Sequence, residues 1–288
     1  MTKTLPSCAA QCGAAQLALF APPAEPPAVP AADTLDWDRQ HVVVVGDSGG
    51  KDSGATVHTV CSSADAAGQL HKVRILHCDL GATPGGHSIE WPGAADVARR
   101  RAAAYGVPFA VRRSTRWPSL WDRMISHGRW PGFFARYCTS DTKTATGRAY
   151  VDELRAELRL REPIRAGYAM GMRAEESRAR AKKPVVERHR MSGKGTLRVV
   201  TTWLPIHHLT TDQVWQMHEE NGIERHDAYR MGMGRLSCRA CPLAHTDDLV
   251  RSAQLNPELF AEYAAVEDRL GQFKANISLR EIIERGKD

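Results

Sequence analysis

The chain alternates apolar blocks with polar, helix-forming ones. After His41 come four valines, Val42 to Val45, uninterrupted by any polar residue. A continuous β-branched run bounded by turn residues is the pattern of a strand buried on both faces, as in a parallel sheet. Gly46, Ser48, Gly49 and Gly50 follow as a flexible turn, and a helix is predicted after them, with Ser53 as its candidate cap. Lys72 to Cys78 reads as a second strand ending at Asp79. Trp91 to Tyr105, rich in Ala and Arg, reads as a helix closed by Gly106, and Pro108 to Arg112 as a third strand. Strand, helix, strand, helix, strand in this order calls for right-handed crossovers and a parallel sheet.

Further on, Pro118 to Met124 is helical in pattern, and Arg129-Trp-Pro-Gly-Phe-Phe134 is an irregular loop. Arg136 to Lys143 runs into a polar helix ending near Leu158. Pro163 to Tyr168 makes a fourth strand, Gly171 to Arg180 a charged, mobile loop, and Leu197 to Trp203 another strand. Thr211 to His218 is a capped amphipathic helix that Asn221-Gly222 terminates. Arg235 to Pro242 is a Cys-x-x-Cys turn. From Thr246 to Ile283 the pattern gives two or three short helices, with Asn256-Pro257 starting one. The expected fold is α/β, a doubly wound parallel sheet of Rossmann-like type. A Cys-x-x-Cys segment and a short helical tail complete it. The expected divisions are a disordered Pro/Ala-rich arm at 1–36, a main domain at 37–245 and a helical tail at 246–288.

Composition bounds what this fold can do. Over 288 residues, 42% apolar and 25% charged content is that of an ordinary globular chain. No run approaches the ~18 apolar residues of a membrane span, and the N-terminus lacks the apolar centre of a signal peptide. A cytoplasmic protein without a membrane partner is the expectation. A net charge of +6 suits an anionic ligand, either a nucleotide or a polynucleotide. Seven cysteines without a secretory leader point to thiols or metal ligands and away from a disulfide framework. Cys8 and Cys12 have metal-like spacing but sit in the arm, with no further donor near them.

The turn after the first strand carries the first candidate chemistry. Backbone N–H groups and the positive end of a helix dipole converge there, and Lys51 adds a full charge, so the turn is an anion cradle. It is not the common P-loop. That motif needs Gly at position 45, which is Val, and Ser or Thr after the lysine, where Asp52 stands. Asp79 is placed to hold a ribose hydroxyl, to bind Mg²⁺ or to cap a turn. In Gly171-x-Arg-x-x-Glu-Ser-x-x-Arg180, the guanidinium groups of Arg173 and Arg180 suit bidentate contact with phosphate or sulfate. Glu176 would orient one of them or bind Mg²⁺. Cys138, Cys238 and Cys241 form a thiol set compatible with zinc, iron–sulfur ligation or a redox dithiol. Zinc would need a fourth side chain, with Cys78 and His245 as candidates. Cys61 and Cys78 otherwise read as core residues, and His207, His208 and His226 as loop histidines.

Ser48-Gly-Gly-Lys-Asp-Ser53 resembles the signature of the PP-loop ATP pyrophosphatases, the adenine nucleotide alpha-hydrolase-like superfamily. Cys138-Thr-x-x-x-Lys143, Gly171-x-Arg-x-x-Glu-Ser177, Pro205-Ile206 with Asp212-x-Val-Trp215, and Cys238-x-x-Cys241 follow in order. The series is similar to the phosphoadenosine phosphosulfate reductase-like family over about residues 40–245, near its DNA phosphorothioation branch. The resemblance implies a nucleotide-binding domain at 37–245. Its ligands would be ATP, or a sulfonucleotide, held by Ser48, Gly49, Gly50, Lys51, Asp52, Ser53, Asp79, Gly171, Arg173, Glu176 and Arg180. Lys51, Asp52, Lys143 and Arg173 would be catalytic. Cys138, Cys238 and Cys241 would hold a [4Fe–4S] cluster, with zinc as the alternative. Two departures disfavour sulfonucleotide reduction: Tyr137 stands where an adjacent cysteine would be, and no cysteine follows Cys241. The implied activity is therefore cleavage of ATP to AMP and pyrophosphate, with Mg²⁺. It would activate an acceptor for sulfur transfer, a nucleic acid for example, with sulfur from a cysteine desulfurase or another donor. A sulfonucleotide reductase using Cys138 or a partner's thiol, and a non-catalytic nucleotide-binding subunit with structural zinc, are the alternatives.

Overall fold

The computed structural model describes residues 34–192 and 197–287. The arm expected at 1–36 therefore lies almost wholly outside the described residues, as do Cys8 and Cys12. The valine run forms β1 (Val42–Gly46), and its four valines are 0–1% exposed, as a strand covered on both faces requires. A turn leads into α1 (Lys51–Ala66), followed by β2 (Val73–Asp79), α2 (Ala94–Ala104) and β3 (Phe109–Arg113). After α3 (Leu120–His127) comes α4 (Tyr137–Thr139), a π-helical turn (Ser140–Thr144) and α5 (Ala145–Glu157) as one continuous stretch. Then follow β4 (Ile164–Ala169), the short α6 (Arg178–Ala181), β5 (Val186–Arg188), β6 (Arg198–Trp203) and α7 (Thr211–Glu220).

The six strands lie in the order β3-β2-β1-β4-β6-β5. All neighbours are parallel except β5, which runs antiparallel to β6 at the edge. Strand order reverses at β1, so β1 and β4 diverge to opposite sides of a switch point. Ligands of such sheets sit beyond the carboxyl ends of the strands at this crevice. Gly167 on β4 shows how tightly the sheet is covered: a Cβ there would meet Leu35 Cδ2 at 2.6 Å and Val43 Cγ2 at 3.1 Å.

The C-terminal stretch folds as α8 (Thr246–Leu255), α9 (Pro257–Ala265), α10 (Glu267–Leu270) and α11 (Leu279–Arg285), four helices where two or three were expected. They are not set apart from what precedes them. Leu249, Leu259, Phe260, Tyr263 and Ile282 share one apolar cluster with Leu80, Ile89, Trp121 and Trp130, and the three cysteines of the thiol set pack against it. Tyr263 is 1% exposed, edge-on to Trp121 at 5.1 Å and stacked on Trp130 at 5.6 Å. A fully buried aromatic of this size contributes several kcal/mol through burial and ring pairing. The helices thus wall the cysteine region. Among the described residues, no helix is long and apolar enough to cross a membrane.

Candidate functional site

The turn between β1 and α1 is shaped by groups buried beneath it. Asp47, 1% exposed, accepts hydrogen bonds through Oδ1 from Gly49 N at 2.7 Å and from Ser53 Oγ at 2.7 Å. Arg101 of α2, 4% exposed, donates from Nη1 to Asp47 Oδ1 at 3.1 Å and to the Gly50 carbonyl at 3.1 Å. Its Nη2 reaches the carbonyls of Gly49 and Glu224. These bonds tie the loop's carbonyls inward, and its N–H groups have partners too: Ser48 N donates to Ser53 Oγ, Gly49 N to Asp47 and Lys51 N to the Tyr229 hydroxyl. Gly49 adopts φ +78°, and a Cβ there would meet Ala94 O at 2.8 Å, so the position requires glycine. Ser53 is not the cap: α1 starts at Lys51, Gly50 is its N-cap, and no side chain caps it. Ser53 lies inside the first turn and turns its hydroxyl back to Asp47 and to Gly50 O. The uncapped helix end carries the positive pole of the dipole into the crevice.

Above this turn is a cavity of about 290 Å³, floored by the carboxyl ends of β1, β2 and β4 through Gly46, Leu76 and Tyr168. Of the sequence candidates, Ser48, Gly50, Asp52, Ser53, Gly171, Glu176, Arg180 and Lys143 line it. Gly49, Lys51, Asp79 and Arg173 do not. Lys51 is 5% exposed and its Nζ donates to Asp52 Oδ2 at 2.8 Å. Arg173, expected in a mobile loop facing phosphate, is 3% exposed and donates from Nε to Asp52 Oδ1 at 2.7 Å, with Leu209 O and Thr211 Oγ1 as further acceptors. Asp52 therefore sits between two buried cations, and its Arg173 bond clamps the 171–180 loop to α1. Gly171 allows this approach, since a Cβ there would lie 2.8 Å from Asp52 O. Arg180 is ion-paired with Glu176. Asp79 caps a turn by accepting from Gly81 N at 2.7 Å and pairs with Arg113. That was one of its three expected roles.

The carboxylate that does enter the cavity from this side is Glu90, which sequence reading missed. It accepts from Leu80 N at 3.0 Å and lies 3.5 Å from His77 Nε2. His77, 2% exposed, bonds Asp47 O through Nδ1 at 2.8 Å. Burial works against its charge, but Glu90 and Asp47 outweigh burial and raise its pKa. Tyr229 was also missed. Its hydroxyl accepts from Lys51 N at 2.8 Å, at the mouth of the anion cradle.

Lys143 sits in the π-helical turn, a local widening of the helix of the kind found at many functional sites. A second cavity of about 150 Å³ adjoins the first, and both are lined by Ser48, Glu90, Lys143, Arg235 and Leu236. Trp91 and Cys238 line the second cavity only. Burial pushes the Cys238 thiol up to about 12, with Lys143 opposing. Cys138 is raised by burial too, against the pull of Lys143, Thr139 and Arg136, and it interacts electrostatically with Cys241. Cys78 lines the first cavity near Lys143, and burial raises it to about 12. Lys143 is half-buried; its pKa is lowered by burial but raised more strongly by Cys238, Glu90, Cys78 and Cys138. The three thiols thus meet in one region beside Lys143. As the side chains stand, no group of three or more His, Cys, Asp or Glu among the described residues closes on a metal ion. His207 and His226 are structural, bonded to the carbonyls of Arg180 and Pro92.

Residues 42–244 match the family model described as phosphoadenosine phosphosulfate reductase domain. No curated protein gives a significant match. Similar solved structures include a phosphoadenylyl-sulfate (PAPS) reductase from Candida auris in a phosphate complex, 16% identical, with a TM-score of 0.43 over 68% of this chain and 80% of that one. A U34-tRNA thiolase from Methanococcus maripaludis with its [4Fe-4S] cluster is 12% identical, with a TM-score of 0.42 over 89% of this chain and 74% of that one. At these identities and scores, nothing about activity is taken from them.

Proposed function

The chain belongs to the phosphoadenosine phosphosulfate reductase domain family, and from that premise we propose that it cleaves ATP at the α-phosphate to activate an acceptor for sulfur transfer. The observation that carries the reading is the continuity of the two cavities. The anion cradle at Ser48–Ser53 and the pocket at Cys238 share Lys143 and Glu90, so a nucleotide and a sulfur-bearing group would meet there.

In the proposed reaction, the positive pole at the N-terminus of α1 holds the β,γ-phosphates. Glu176 lines the cavity and would supply an oxygen donor for Mg²⁺, which needs only one or two protein carboxylates, while Asp52 is engaged by Lys51 and Arg173. An acceptor oxygen attacks the α-phosphorus, the bond to the bridging oxygen breaks, and pyrophosphate departs with the electron pair. Lys143, charged and half-buried, stabilises negative charge where the acceptor meets the thiol side. Hydrosulfide, or a persulfide whose S–S bond a thiol then reduces, attacks the acceptor atom that bears the adenylated oxygen; that bond breaks, and AMP departs with the oxygen and the electron pair. Cys138, Cys238 and Cys241 fit a [4Fe–4S] cluster by donor type, three soft thiols with one iron left over. When bound, such a cluster supplies a site for the incoming sulfur. A cysteine desulfurase or another donor would provide it, a nucleic acid is the proposed acceptor, and the cytoplasm is the proposed setting.

Incubation with ATP, and separately with phosphoadenosine phosphosulfate plus thioredoxin, tests this reading. Release of AMP and pyrophosphate from the first, without sulfite from the second, is expected. Sulfite release would replace the reading with a reductase, and binding without turnover with a non-catalytic subunit.

A further inference from the structure

Between α3 and α4 the chain makes a turn whose base is fixed and whose tip is bare. On one side, Trp130 and Pro131 are buried, and Trp130 Nε1 donates to Gly271 O at 2.6 Å. On the other, the buried Tyr137 donates its hydroxyl to Arg129 O at 2.5 Å. Gly132 and Ala135 close the turn by exchanging backbone hydrogen bonds, both at 3.3 Å. Between them, Phe133 is 81% exposed and Phe134 fully exposed, the two most exposed large apolar side chains described. Adjacent bare phenyl rings on an anchored turn are unusual in a surface that otherwise hides its aromatics.

The charges along this stretch have one sign. From Arg123 to Ser140 the sequence contains no Asp or Glu. Arg129 and Arg136 flank the tip and are exposed, and among the described residues neither pairs with a carboxylate. The turn also leads directly to the site. Arg136 precedes α4, whose Cys138 belongs to the thiol set and whose Thr139 lines the nucleotide cavity. Cationic groups flanking exposed aromatic faces, a few residues before the chain enters the cavity lining at Thr139, are what an unstacked strand of nucleotides needs: backbone neutralisation and a stacking platform. A protein partner would favour a broader apolar patch with a mixed-charge rim.

We propose that Phe133 and Phe134, flanked by Arg129 and Arg136, form a docking platform for single-stranded nucleic acid and feed the acceptor to the Cys138 side of the cavity. The role as acceptor dock rests on the sulfur-transfer reading; the binding itself does not. Fluorescence anisotropy of the full chain with a labelled oligothymidylate of about 12 nucleotides, across a salt series, tests it. Wild type should bind it more tightly than a duplex of equal length. F133S/F134S should weaken binding by about tenfold or more with the salt slope unchanged. R129Q/R136Q should reduce the slope by about one unit. No binding by wild type, equal binding of the duplex, or wild-type affinity in F133S/F134S would each overturn the proposal; the last outcome would leave a protein partner for the rings. Both phenylalanines lie outside the cavity lining, so ATP cleavage without oligonucleotide should be unchanged in F133S/F134S. Absent cleavage in wild type would sink the sulfur-transfer reading while leaving the binding result standing.

Discussion

Replacing Arg101 by Met should damage this protein more than any change at its surface. The side chain is 4% exposed and its partner Asp47 is 1% exposed. The guanidinium donates to both Asp47 oxygens, at 3.1 and 3.3 Å, and to the carbonyls of Gly49, Gly50 and Glu224. Met fills similar space but leaves a buried carboxylate without its cation and the carbonyls of Gly49 and Glu224 without donors, while Gly50 O keeps Ser53 Oγ and Gly54 N. Breaking a buried pair from one side costs about 3–5 kcal/mol, a large share of a typical stability of about 5–15 kcal/mol. The corresponding fall in Tm is about 6–20 °C for a chain of this size. The double variant D47N/R101M removes the stranded charge and keeps an amide oxygen for Gly49 N. It should therefore recover at least about 1 kcal/mol over R101M. Chemical denaturation of the three proteins, with nucleotide binding measured on each, is the assay. If R101M lay within about 1 kcal/mol of wild type, or the double variant were no better than the single one, the buried pair would not be what fixes the turn.

Other consequences follow from the same geometry. Gly49→Ala should lose stability by about 1–2 kcal/mol from backbone strain alone and more from the close approach to Ala94, with nucleotide affinity falling about tenfold or more. Gly68→Ala, at φ +66° with open space around it, should lose only the strain, and an equal effect at both sites on nucleotide affinity would refute the cradle. His189 lines the larger cavity, and burial followed by Arg190 lowers its pKa. Its Nδ1 accepts from Met191 N at 2.9 Å, which only the neutral ring can do. A lowered pKa contributes stability that is present above the unfolded value of 6.5 and lost as pH falls below it. His189→Gln should accordingly flatten the decline in thermal stability on the acid side of that value, and an unaltered pH profile would count against the neutral ring. Protein purified without oxygen should be brown, with the colour lost in Cys138→Ala and Cys241→Ala; colourless protein with stoichiometric zinc would remove the cluster from the account.

Local patterns in the sequence foretold most of the sheet. The four valines and the glycine-rich turn announce β1 and the anion cradle because burial on two faces and a sharp strand-to-helix turn leave few residue choices. β5 was missed because three residues, Val186–Arg188, carry no period and are held by pairing with β6. The site was legible only where the backbone makes it. Ser48, Gly50 and Ser53 were found from the motif, but the groups that set the turn's shape come from elsewhere in the chain. Arg101 is the last of three consecutive arginines; only the helical period that places it with Ala94, Val97, Ala98 and Ala102 on the buried face separates it from Arg99 and Arg100, which are both exposed. Glu90 and Tyr229 are single residues in loops. Asp47, directly beside the motif, was the one with a signal: an acid following a buried strand must find a cation or donors. Arg173 shows the converse. Its motif suggested a phosphate ligand, whereas the fold spends its guanidinium on Asp52. The C-terminal helices looked like an appendage because their apolar positions cannot reveal their partners, Trp121 and Trp130, from more than a hundred residues away.

The account turns on where ATP is cut. With ATP labelled separately at the α- and γ-phosphates and Mg²⁺ present, the wild-type protein should release AMP and pyrophosphate in equal amounts, and Lys143→Ala should release neither. Release of ADP and phosphate, or undiminished cleavage by Lys143→Ala, would contradict it.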